Sequence, residues 1–127
     1  MKLANRPHDK TLGEVVREAR TDKSLSLRDL AKRLDKTPSY LSDIENDRRV
    51  PSEEVLRNIA VILDLDFNEL MARAGRFGDR AMRYLKRYPA AGMLFRKISD
   101  LNLQEMDLKE LLQEVERLSR KRKGPGV

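Results

Sequence analysis

Ser39, Ser42, Asp43 and Asn46 fall on one arc of a short predicted helix, taking about 100° per residue, and Leu41 and Ile44 point the other way. Thr37 supplies an N-cap and Pro38 the first helical position, where a missing N–H has no consequence. Pro38 and Tyr40 flank the polar arc. Its groups are small and carry no Lys or Glu, so they can approach base edges closely, and an Asp can accept from cytosine N4. Thr37, Pro38, Ser39, Tyr40, Ser42 and Asp43 are therefore the candidate base-reading set; the plainer alternative is a helix with a solvated polar face. Arg28, Lys32, Lys36, Arg48 and Arg49 surround this helix in sequence, and phosphate binding depends on which cations touch the backbone. Arg48 and Arg49, adjacent on the loop that follows, are the foremost phosphate candidates, with Arg28 and Lys36 beside them. No enzymatic constellation accompanies these groups. The one histidine, His8, stands next to Pro7 without a metal-ligand partner, and the chain has no cysteine.

The elements that position this arc can be read from periodicity. Leu27, Leu30, Ala31 and Leu34 follow i, i+3, i+4, i+7 on a preceding helix, which opens with Ser26 and Asp29 in capping-box spacing. Asp35-Lys36 breaks it. Two helices joined by so short a turn must cross steeply, leaving the second free to enter a major groove. Upstream, Leu12, Val15, Val16 and Ala19 predict a helix from about residue 11 to residue 23. Downstream, a loop at 46–51 leads to a helix opening at Ser52, and Asp66 caps a fifth carrying Phe67, Leu70, Met71 and Ala74. Five helices in about 65 residues make a compact all-α bundle.

Residues 11–74 resemble the phage Cro/repressor type of helix-turn-helix, the XRE family. The matching stretches are Leu-Ser-Leu-Arg-Asp-Leu-Ala-Lys-Arg-Leu at 25–34, Ser-Tyr-Leu-Ser-Asp-Ile-Glu-Asn at 39–46 and Pro-Ser-Glu-Glu-Val-Leu-Arg-Asn-Ile-Ala at 51–60. The resemblance implies a five-helix repressor-type bundle that binds double-stranded operator DNA as a dimer, with the helix from Thr37 reading bases. It further implies that Ser26 and Asn46, at helix ends, hold phosphates. The family's frequent Arg–Glu pair between first and third helices maps onto Arg20 and Glu45. The chain departs from the pattern at Asp35 and Asp47, where Gly is usual, and at Lys36, where an apolar residue is usual. Asp tolerates positive φ better than most residues, so both aspartates read as modest strain.

The net charge of +6 is unevenly placed: residues 1–75 carry 14 bases and 14 acids, residues 76–127 carry 13 bases and 7 acids. The bundle must therefore place its cations locally rather than act through bulk charge. A hinge at 75–78 introduces a short helical extension, expected over 76–119, between a flexible arm at 1–10 and a disordered basic tail at 120–127. Arg76, Arg80, Arg83 and Arg87 are spaced to line one helical face, as an auxiliary DNA strip or simply a solvated surface. Leu85, Tyr88, Leu94, Phe95, Ile98, Leu108, Leu111, Leu112 and Val115 give the extension an apolar surface too large for so short a unit to bury alone. A homodimer interface is the leading expectation. Folding back on the bundle, or binding a protein partner such as a toxin or a regulatory protease, are the alternatives. No cofactor, metal or membrane segment is expected, and a cytoplasmic location follows from the lack of a signal-peptide core.

Overall fold

The computed structural model describes residues 10–123, and every regular element among them is an α-helix. The elements are α1 (Leu12–Asp22), α2 (Leu27–Arg33), α3 (Pro38–Glu45), α4 (Glu53–Leu63), α5 (Phe67–Arg73), α6 (Gly78–Arg87), α7 (Pro89–Asp100) and α8 (Glu105–Lys123). Side-chain caps start the first five. Thr11 and Ser26 each form a reciprocal capping box, with Glu14 and Asp29 respectively. The Thr37 hydroxyl accepts from the Tyr40 N–H at 3.0 Å, Ser52 from Val55 at 3.2 Å and Asp66 from Glu69 at 3.0 Å. Each such cap contributes about 1 kcal/mol by satisfying a donor the helix cannot.

The chain falls into two units, Met1–Met82 and Arg83–Val127. In the first, α1 packs on α3 and α4, α2 on α3, and α4 on α5. Val16, Leu30, Leu41, Leu56, Ile59 and Leu70 lie at the centre of a core to which every one of these five helices contributes. The expected stripes are its source: Leu12 and Val16 are buried, with Val15, Ala19 and Leu27 packed at its edge.

Three expectations for the C-terminal part change. The division falls within α6 rather than at Gly75. Arg76 precedes α6 and so leaves the expected basic strip; its Nε donates to the Pro51 carbonyl at 2.7 Å, tying the chain after α5 to the loop before α4. Residues 120–123 are not tail but the last turn of α8, because nothing in Arg120-Lys121-Arg122-Lys123 breaks a helix before Gly124. Residues 1–9 of the arm expected at 1–10, with His8, and the stretch 124–127 lie outside the described residues. Pro89 is the first residue of α7, where its missing N–H has no consequence. Asn102 takes positive φ (52°) behind α7, and at the start of α8 the Asp107 carboxylate accepts the Gln104 N–H at 3.2 Å. Neither α6 nor α7 contains a buried residue. Among the described residues no helix is long and apolar enough to cross a membrane.

Candidate nucleic-acid interface

The turn between α2 and α3 is closed by backbone bonds from Asp35 N–H to Lys32 O (3.1 Å) and from Lys36 N–H to Ala31 O (2.9 Å), with Asp35 at φ 57°. The same device ends α3: Asp47 stands at φ 59°, and the Arg48 N–H reaches Asp43 O at 2.8 Å. These are Schellman-like closures with aspartate at the left-handed position, where glycine is commoner. Asp47 does something a glycine could not. Its Oδ1 accepts the Gly13 N–H at 3.0 Å, satisfying one of the unpaired donors at the start of α1.

Gly13 itself shows how tightly α1 abuts the end of α3. A Cβ at this position would lie 2.4 Å from the Glu45 carbonyl oxygen, closer than atoms can approach. Nothing in the periodicity of α1 marks Gly13 as a point of contact. Its only signal is a glycine in the first turn of an amphipathic helix.

Beneath α3 lies the chain's one buried charged residue among those described, Glu45. Arg20 grips it with both edges of its guanidinium, Nε to Oε2 at 2.7 Å and Nη2 to Oε1 at 2.9 Å, and donates from Nη1 to the Leu25 carbonyl at 2.9 Å. The bidentate pair ties α1, α3 and the loop before α2 together. Its side chains are 15% and 2% exposed for Arg20 and Glu45. The hydrogen bonds to Glu45 raise the Arg20 pKa above its ordinary value, against a smaller opposing effect of burial. Arg17, also absent from the sequence reading, donates to Glu45 at 3.4 Å and to the Asn46 side-chain oxygen at 2.9 Å.

On the outer side of α3, Pro38 and Ser39 are exposed, and Tyr40, Ser42 and Asp43 are half-buried. Several candidate side chains already have partners within the chain. The Thr37 hydroxyl caps α3, the Ser42 hydroxyl accepts from Asn46 Nδ2 at 3.3 Å, and Asp43 faces Arg48 at a long 3.5 Å. Asn46 also donates to the Ser42 carbonyl at 2.9 Å. Ser26 is likewise engaged, its hydroxyl accepting the Asp29 N–H at 3.0 Å. Cations bracket the arc at both ends. Arg28, Lys32 and Lys36, with Asp35 and Pro38, line a shallow groove beside the start of α3. Lys36 Nζ and Arg49 Cζ stand 5.3 Å and 4.9 Å from the centre of the Tyr40 ring, so the ring serves as a shared cation–π platform. In the extension, Leu94, Phe95, Leu112, Val115 and Tyr88 are exposed, and Leu85, Ile98, Leu108 and Leu111 are half-buried.

The fold and this surface define a small helix-turn-helix module, its second helix presented between two groups of cations. Comparison with known proteins agrees. A helix-turn-helix family model matches residues 16–70. The ImmF control region 10 kDa protein of Bacillus phage phi105 is 43% identical over 61 residues, 48% of this chain and 68% of that protein. Transcriptional regulator ClgR of Mycobacterium tuberculosis is 33% identical over 79 residues, 62% of this chain and 70% of that one. Among solved structures, the clp gene regulator ClgR from Corynebacterium glutamicum matches 73% of this chain and 92% of its own at 29% identity, with a TM-score of 0.45. The chain belongs to the Cro/repressor (XRE) type of helix-turn-helix family, a family of DNA-binding transcriptional regulators and not of enzymes.

Proposed function

We propose that the chain acts as a dimeric repressor of a palindromic operator, each copy laying α3 in a major groove of one half-site. The observation that carries this reading is the small-residue outer face of α3, bracketed by Lys36 and the Arg28–Lys32 groove at one end and by Arg48 and Arg49 at the other. Ser39, Ser42, Asp43 and the Thr37–Pro38 helix start meet base edges, and the flanking cations meet phosphates. Tyr40 contributes at the edge of the groove while holding Lys36 and Arg49. Ser26 and Asn46 act mainly through others, Ser26 by fixing the start of α2 and Asn46 by holding Arg17 toward the same surface. The domain sum of charge is irrelevant to this arrangement, because the acids of α1, α4 and α5 need not face the duplex.

The exposed apolar faces of α7 and α8 support self-association, since helices this apolar with no buried residue complete their packing on a partner. Binding-site selection on random DNA with the full-length protein tests the reading. The enriched sequence should be a pseudo-palindrome with half-site centres about one helical turn apart. Light scattering at micromolar concentration should report a dimer. A single non-repeated site bound by a monomer would overturn the dimeric operator and leave the extension for another protein, such as a toxin or a regulatory protease.

A further inference from the structure

The charge on α8 is divided along its length. Glu105, Asp107, Glu110, Glu114 and Glu116 fill its first part, with Lys109 as the lone base, and from Arg117 to the helix end the charged residues are all basic. Matching the helix macrodipole accounts for such a bias only in the first and last turns. Here the division persists through the middle of a 19-residue helix about 28 Å long. Local pairing absorbs part of it, through Arg117 with Glu114 and Arg120 with Glu116. Asp107 and Lys121 lie near opposite ends, both exposed.

The apolar residues supply a second, independent feature. Leu108, Leu111, Val115 and Leu118 are spaced 3, 4, 3, which is the seam spacing of paired helices. Val115 and Leu118 are 59% and 46% exposed, and Leu112 beside them 62%. That spacing reads the same from either end. Run antiparallel, two such helices would set Leu108 against Leu118 and Leu111 against Val115, and would bring Asp107 of each copy beside Lys121 of the other. Run parallel, they would set acid on acid and base on base.

We propose that α8 pairs antiparallel with α8 of a second copy of the chain, in the register that joins Leu108 to Leu118. This rests on the dimer reading above and adds the face, direction and register of the interface.

Because the chain has no cysteine, single-cysteine variants report the pairing directly. Full-length Asp107→Cys and Lys121→Cys proteins, one carrying a mass tag, are mixed and mildly oxidised while light scattering follows their size. The expected product is the mixed disulfide between the two variants. Predominance of disulfides within each variant would mean parallel helices and overturn the proposal. A dimer without interchain disulfide would overturn the α8 interface alone, leaving the dimer to another face. A monomeric wild-type chain would overturn both readings and leave α8 to a different protein. Charge exchange gives a second measurement without cysteines. Asp107→Lys should weaken dimerisation about threefold or more, two exposed pairs being lost by symmetry along with the bond from Gln104, and adding Lys121→Asp should restore the part due to the pairs. Failure of that rescue would overturn the register.

Discussion

Arg20 and Glu45 form a pair whose burial makes it a poor candidate for net stabilisation and a good one for geometry. Taking two charges out of water offsets most of their attraction, but removing one partner strands the other. Arg20→Met should destabilise the bundle by about 3 kcal/mol, because Glu45 keeps only Arg17 at 3.4 Å. Glu45→Leu should cost less, since Arg20 retains the Leu25 carbonyl and an edge in solvent. The double variant should be no less stable than either single one. Chemical melts of the three proteins check this, and additive losses would mean the pair is incidental. The cations near Tyr40 make a separate case. Arg49→Ala should weaken all DNA sequences alike and lower the salt slope by about one unit, whereas Ser39→Ala should alter preference at one base position by about 1–3 kcal/mol. Salt titrations and site selection distinguish the two, and identical behaviour would reverse the orientation assigned to α3. At this scale the residue types were legible and their partners were not. Ser42, Asp43 and Asn46 were visible as a polar arc from spacing alone. Their bonds to one another and to Arg48 and Arg17 depend on side-chain reach across turns, which periodicity does not encode. The Arg20–Glu45 pair came from the family resemblance and not from spacing.

Helix by helix, the sequence was most informative where caps and stripes coincide. Ser26, Thr37, Ser52 and Asp66 start helices in the structure as their spacing predicts, because each cap is a local bond between residues three apart. Asp29 carries the second half of the Ser26 box, and the hydrogen bonds from Ser26 hold its carboxyl below the ordinary carboxylate range. A lowered folded-state pKa adds stability above the unfolded value of about 4, lost as pH falls through the folded one. The difference in melting temperature between the wild type and Asp29→Ala should therefore shrink on acidification below about pH 4. A gap unchanged from pH 7 to pH 2 would mean that the carboxylate form contributes nothing. Gly13 illustrates what local reasoning cannot find, a helix-to-helix approach set by tertiary packing. In an isolated helix Gly13→Ala would stabilise by up to about 1 kcal/mol. Here the new Cβ would meet backbone of α3, and overpacking at such contacts costs about 1–3 kcal/mol. The clash should win, giving a lower melting temperature and weaker DNA binding through displacement of α3; a stabilised Gly13→Ala protein would show that α1 slides freely.

For the whole molecule the question is why a bundle with its own core carries a further helical unit with no fully buried residue among those described. Among the described residues all fourteen buried apolar core residues lie between Leu12 and Met71, so the first unit has the means to fold alone. The glycines at 75 and 78 led to the expectation of a hinge there, whereas the chain divides several residues later, inside α6. Charge shows the same asymmetry, with the whole excess of +6 lying beyond residue 75. A dimer made by the extension would turn two weak half-site contacts into one tethered event, and such linkage commonly raises avidity by 10²- to 10⁴-fold without any new DNA contact. Truncation after Met82 should accordingly leave the helical content and cooperative melting of the bundle. It should abolish dimerisation, weaken binding to the full palindrome by about 100-fold or more, and leave affinity for an isolated half-site nearly unchanged. The two DNA lengths must be measured side by side, because loss on both would mean that α6–α8 touch DNA themselves, through Arg80, Arg83 and Arg87 in particular. A truncated chain that still bound the palindrome as tightly as the intact one would show that the first unit dimerises by itself, and the extension would then need a different role.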